Sequence, residues 1–210
     1  MANNFAPFGF RPVNTSNGPM NWRISTRRIA STNATPIYKG DAVVPLVGPA
    51  TGYITQAIGG STAAAPLAGI FWGCQYLSTS QKRTVWSQYW PGSDATGDVI
   101  AYTIDDPNAR FIVQTSGAGF QISGTPTNFG TSPVGQYCDL NAGTGDALTQ
   151  QSGAFVDTIN VTNTLPFIIT NMYLDPPGAN GTDATSIYNY VEVGFNNEWL
   201  RSNAAVTGIA

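Results

Sequence analysis

Histidine is absent from all 210 residues. That removes the commonest general base and the commonest neutral metal ligand, and it excludes a Ser-His-Asp or Cys-His catalytic arrangement outright. Cysteine is scarce: Cys74 and Cys138 are the only two and form no CxxC pattern, so they read as free buried thiols rather than a disulfide. Charge is scarce too. Charged residues make up 10% of the chain, against about 25% in ordinary soluble domains. The net charge of −3 and the pI near 4.6 oppose direct nucleic-acid binding, which calls for a basic patch or stripe. The adjacent pairs Arg27-Arg28 and Lys82-Arg83 read as solvated strand faces. No run of about 18 apolar residues exists to form a transmembrane helix, and the start lacks the basic-then-apolar pattern of a signal peptide. The expectation is a protein made in a cytoplasm, without a membrane partner.

Catalytic and metal chemistry have little to stand on. Of the 12 acidic residues only Glu192 and Glu198 are glutamates, and many aspartates sit in turn contexts such as Asp105-Asp106-Pro107, where they cap backbone amides. A paired-carboxylate glycosidase is therefore disfavoured. Asp94-Ala-Thr-Gly-Asp98 and Asp175…Asp183 are acidic and flexible but lack the spacing of a calcium loop. The glycines of SGAGFQISG have the wrong spacing for a phosphate cradle. No enzyme activity and no cofactor are expected.

What the chain has instead is 23 glycines, 14 prolines and 11% aromatics. Disordered chains lack aromatics, so a β-rich body with long neutral loops fits better. Strand candidates fall at 22–25, 37–45, 51–57, 68–77, 82–90, 98–104, 109–115, 154–161, 165–174 and 186–200. In the last, Val191, Val193 and Phe195 alternate with Glu192, Gly194 and Asn196. AGIFWGCQYL (68–77) is apolar on both faces and reads as a doubly buried central strand. It is expected to form a hairpin with 82–90. The turn Asp105-Asp106-Pro107-Asn108 predicts a second hairpin between 98–104 and 109–115. Residues 116–152 read as loops with short strands. The fold class is mainly β, an antiparallel β-barrel or β-sandwich. An extended N-terminal arm (1–20) would precede a β-rich body (21–210), folded as a single domain.

The arm carries FAPFGFRPV, with Phe5, Phe8 and Phe10 interleaved with Pro7, Gly9 and Pro12. The prolines remove amide donors and favour extended backbone. Burying three phenylalanines gives roughly 5–9 kcal/mol at most, and ordering the segment costs about as much. Such an arm either lies over its own body or docks on a neighbour, with Phe5, Phe8 and Phe10 as anchors, Pro7 stiffening it and Arg11 free to pair with a carboxylate. On the docking view, removing residues 1–12 leaves the body folded. The aromatics Trp72, Tyr76, Trp86, Tyr89 and Trp90 either fill a core or subunit interface, or line one exposed face able to stack on sugar rings.

The stretches APFGFRPV (6–13), WRIS (22–25), ATPIYKGDAVV (34–44), GIFWGCQY (69–76), SQYWPG (87–92), AYTIDDPNARFIVQ (101–114) and YNYVEVGFNNEWL resemble the capsid decoration, or cement, proteins of tailed bacteriophages. The resemblance covers most of the chain, least so 116–152. It implies a non-enzymatic virion protein on the outer surface of the capsid. Many copies would bind the major capsid protein, commonly as homotrimers, and cement adjacent capsomers of the expanded head. A carbohydrate-binding or adhesin-like β module on the virion surface is the alternative.

Overall fold

Strands and turns, with no helix, make up the described residues of the computed structural model: 4–13, 22–46, 52–59, 66–117, 133–160, 163–173 and 186–199. Two antiparallel six-stranded sheets dominate. The first runs in the order β1 (Arg11–Pro12), β10 (Arg110–Gln114), β14 (Tyr190–Phe195), β13 (Phe167–Met172), β11 (Tyr137–Asn141), β12 (Phe155–Asn160). The second runs β2 (Ile24–Ile29), β9 (Val99–Ile104), β6 (Gly69–Leu77), β4 (Ala42–Pro45), β5 (Ile54–Gln56), with β7 (Thr84–Ser87) paired to β6. A short pair, β3 (Ile37–Tyr38) and β8 (Tyr89–Trp90), completes the set.

Both sheets curl. Tyr53 bridges Arg28 across the mouth of the second sheet, and Thr115 bridges Val156 in the first. Neither closes into a barrel, so of the two architectures expected, packed open sheets are what forms. The alternation in β14 works as the sequence implies: Val191, Val193 and Phe195 point into the main core with Phe111, Phe167 and Ile169. Ile70 and Ile104 of the second sheet join that core from across the layer. The opposite face of the second sheet encloses another core, built from Ile29, Val43, Phe71, Tyr76 and Val99 and plugged by Ile37 and Trp90. GIFWGCQYL is buried on the face that carries Phe71, Cys74 and Tyr76, but on its other face only at the Ile70 end: Gln75 is half-buried and Leu77 exposed, so the doubly buried strand implied by the unbroken apolar run holds for only half its length. Cys74 and Cys138 are both free and buried, and they sit in different cores.

Two expectations need correction. β6 and β7 do form a hairpin, but β9 and β10 do not. β9 pairs with β2 and β6, whereas β10 pairs with β1 and β14. The Asp105–Asn108 turn therefore carries the chain from one sheet to the other. Its first residue explains why. The Asp105 carboxylate is fully buried and accepts from Arg23 Nε (2.9 Å), Arg27 Nη2 (2.8 Å) and Ser25 Oγ (2.9 Å), all at the β2 end of the second sheet. With the turn held there, the next strand is delivered to the neighbouring layer.

The second correction concerns the arm. Phe10 is completely buried in the chain's own main core, stacked on Phe167 at 4.5 Å and edge-on to Phe111 at 6.5 Å. Its amide donates to Gly40 O (2.9 Å), and the Gly9 amide donates to Ala154 O (3.1 Å). Arg11–Pro12 then adds an edge strand to β10. Gly9 has a positive φ of 77°, and a Cβ there would lie 2.5 Å from Ser152 Cβ, so only glycine lets the arm pass this close. Of the two alternatives, residues 4–13 lie over their own body, and the view of a detachable clamp fails at Phe10.

Beneath this crossing sits Asp41, buried and accepting from Ser152 Oγ, the Tyr38 amide and Gln56 Nε2. Desolvation raises its pKa from 3.8 to about 6, against the lowering effect of these hydrogen bonds. The folded state therefore holds this proton more tightly than the unfolded chain does. Its contribution to stability is full below about pH 4, declines as pH rises to about 6 and is lost above. The shift corresponds to about 3 kcal/mol. Denaturant titrations of wild type and Asp41→Asn at pH 4, 5 and 7 should show wild type losing about that much relative to the variant. Parallel stability curves would contradict it.

Candidate functional site

Only part of one face of the second sheet is buried in the core shared with the first, and the uncovered part forms the site. On one face of the second sheet, β2 presents Ile24, Thr26 and Arg28 opposite Ile104, Tyr102 and Ile100 of β9. Beside them β6 presents Ile70, Gly73 and Gln75, and β7 sets Trp86 opposite Gln75. At one end of this face Ile70 and Ile104 are fully buried against the first sheet. At the other end the same rows stand bare: Trp86 is 67% exposed, and Ile100 and Leu77 are more than 40% exposed; Ile24, on the edge strand beside Ile104, is exposed as well.

Trp86 is not loose. Its indole stacks on Tyr102 at 5.8 Å with a 12° interplanar angle. A bulge between Phe71 and Gly73 places Gly73 opposite Tyr102, and with no side chain at 73 the two rings meet. The resulting cleft, roughly 570 Å³, is lined by Ile24, Trp72, Trp86, Tyr102, Gln88 and Gln150. On the other side of Trp72 lies a smaller cleft of about 280 Å³, lined by Arg11, Trp22, Lys39, Trp72 and Gln151. There Lys39 Nζ sits 4.0 Å over the Trp72 ring and Trp22 meets Trp72 edge-on at 6.5 Å. Partial burial, and after it the charge of Arg11, hold the Lys39 pKa below its usual value.

The sequence-predicted residues divide between surface and core. Trp72 and Trp86 come together at the clefts. Trp90 does not: it is fully buried, donates Nε1 to Asn33 O (3.1 Å) and meets Tyr76 edge-on at 5.2 Å. Tyr89 stacks on Tyr38 at 5.5 Å. In the arm, Phe5 leans on Phe155 and Tyr188, while half-buried Phe8 packs on Tyr190 beneath the Arg11 guanidinium at 4.3 Å. Pro7 is half-buried between them. Phe5, Phe8 and Arg11 remain at the surface, and Phe10 does not. Sequence reasoning missed Tyr102, Trp22 and Lys39. The outward register of Tyr102 within the alternating VIAYTI was the signal available for it.

The acidic loops are occupied by protein donors. Asp94 accepts from Ser78 Oγ (2.7 Å), Thr79 Oγ1 (2.8 Å) and the Ser80 amide (3.0 Å), which lower its pKa to about 2. Asp98 holds Arg28 (3.3 Å) and the Tyr53 hydroxyl (3.0 Å) across the mouth of the curled sheet. The stretch Asp175…Asp183 lies outside the described residues, as do Phe120 and Phe129. Among the described residues no group of three or more metal-ligating side chains occurs. Comparison with protein-family models, with curated proteins and with solved structures returns no match to this chain.

Proposed function

We propose that the protein is a structural component of a tailed-phage head that binds the outer surface of the major capsid protein lattice and cements adjacent capsomers. It would act in many copies, as homotrimers, without catalysis. The observation that carries this reading is the bare half of the second sheet. It is a nearly uncharged face whose centre is an exposed tryptophan seated on a tyrosine, the composition found at interface centres. The low overall charge and the cement-like phrases of the sequence support it. Binding only the expanded lattice would stabilise that state by linkage. Trp86→Ala is expected to weaken binding to expanded shells at least tenfold while leaving the folded body intact, because the indole is mostly solvent-exposed. Co-sedimentation of the variant measures this, and wild-type affinity in the variant would sink the docking face.

A glycan-stacking module is the second reading, favoured by the near-coplanar Trp86–Tyr102 pair with Gln88 beside it. Binding on a glycan array that is lost in Trp86→Ala, with no shell binding by wild type, would select it.

A further inference from the structure

The smaller cleft is chemically unlike the rest of this surface. Arg11 and Lys39 both line it, near enough for the charge of Arg11 to bear on Lys39, and both point to one unmet need. Among the described residues neither makes an ion pair; the three salt bridges belong to Arg23, Arg27 and Arg28. Arg11 instead rests on Phe8 and Lys39 on Trp72. Each cation thus lies over a ring face, an arrangement that favours the charge and leaves donor hydrogens for something else. The chain between Val13 and Trp22, NTSNGPMN, contains no acid that could serve. In a protein with only nine basic residues, setting two together in a half-buried tryptophan-lined cleft works against folding, since like charges repel and Lys39 is partly desolvated.

We infer that this cleft receives a carboxylate, carried by an Asp or Glu in an otherwise neutral, apolar segment of the protein partner that lies along the Trp86–Tyr102 face. This rests on the capsid reading above for the nature of the partner. The charge complementarity is specific: a guanidinium and an ammonium in one cleft accept a single anion with up to eight N–H donors between them. The walls of Trp22 and Trp72 exclude water from the pair and strengthen it. The adjoining cleft shares Trp72 as a wall, so the residues flanking the carboxylate pass directly onto the neutral aromatic face. An all-apolar partner segment would leave both cations uncompensated and is disfavoured.

The test uses the full chain and expanded phage shells that lack it. Arg11→Gln and Lys39→Gln are made singly and together, and binding is measured by co-sedimentation across a salt series. Both side chains are outside the cores and their mutual repulsion is relieved, so melting temperatures should be no lower than that of wild type. The double variant is expected to bind about thirtyfold more weakly at low salt and to show a flattened salt dependence, because the screened charge contact is gone. Equal affinity and equal salt dependence of wild type and double variant would overturn the inference while leaving the capsid reading standing. Failure of wild type itself to bind would remove the capsid reading instead. A third outcome also overturns it: tryptophan fluorescence of the wild type quenched saturably by a uronic-acid oligosaccharide, with no response in the double variant and unchanged shell binding. That result would assign the cleft to an acidic glycan.

Discussion

Phe10→Ala is expected to destabilise the protein by about 4 kcal/mol, the range found when a fully buried phenylalanine is truncated in a packed core. The ring fills space between Phe111 and Phe167 and is completely shielded from solvent. The neighbours that would have to collapse into the cavity are anchored in β10 and β13, two separate strands of the first sheet, so little relaxation is available. Phe5→Ala and Phe8→Ala, at partly exposed rings, should cost about 1 kcal/mol or less. Chemical denaturation of the three variants gives the ranking. Equal small losses for all three would mean that the arm lies on the body without contributing to its core. Removal of residues 1–12 should be worse than Phe10→Ala, since it also strips the β1 edge from β10 and the partners from Gly40 O and Ala154 O.

Asp105→Ala is expected to cost a similar amount, about 4 kcal/mol, by a different route. The substitution leaves the buried side of Arg27 without its counter-ion and Ser25 without its acceptor, and removing one member of a buried charge cluster costs more than the cluster itself is worth. Arg23, half in water, contributes less, because solvent replaces the lost carboxylate there. The same change frees the turn that carries the chain between sheets. The loss should therefore appear in the unfolding rate as well as at equilibrium if the crossover forms late in folding. Asp105→Asn can still accept from Arg23 and Ser25 at one oxygen but turns a neutral amide NH2 toward Arg27, so it should recover only part of that loss. If alanine and asparagine proved equally mild, the cluster would be ornamental and the crossover would need another cause.

The β class, most strand positions and the central place of β6 in its sheet were legible because two-residue periodicity and unbroken apolar runs are local signals. Of the sheet partners only the β6–β7 hairpin was. The Asp-Asp-Pro-Asn turn looks like a hairpin from its own residues, and only Arg23 and Arg27, some eighty positions away, divert it. The arm shows the same limit. Its three phenylalanines are equivalent in sequence, yet Gly9 and Gly40 thread only Phe10 inward. Trp86 and Trp90, four residues apart on a short hairpin strand and its continuation, end one in solvent and the other fully buried because the chain bends at Gln88 between β7 and β8. The clefts beside Trp72 were illegible for a further reason: they depend on how much of one sheet the other leaves uncovered, which no local pattern encodes.

On the proposed function, the bare half of the second sheet would hold this protein on an expanded capsid lattice. Co-sedimentation of the wild-type protein with expanded and unexpanded phage shells that lack it tests this most directly. The account predicts saturable binding to expanded shells, at a fixed number of copies per capsomer, and little to unexpanded ones. Absence of saturable binding to either form would contradict it.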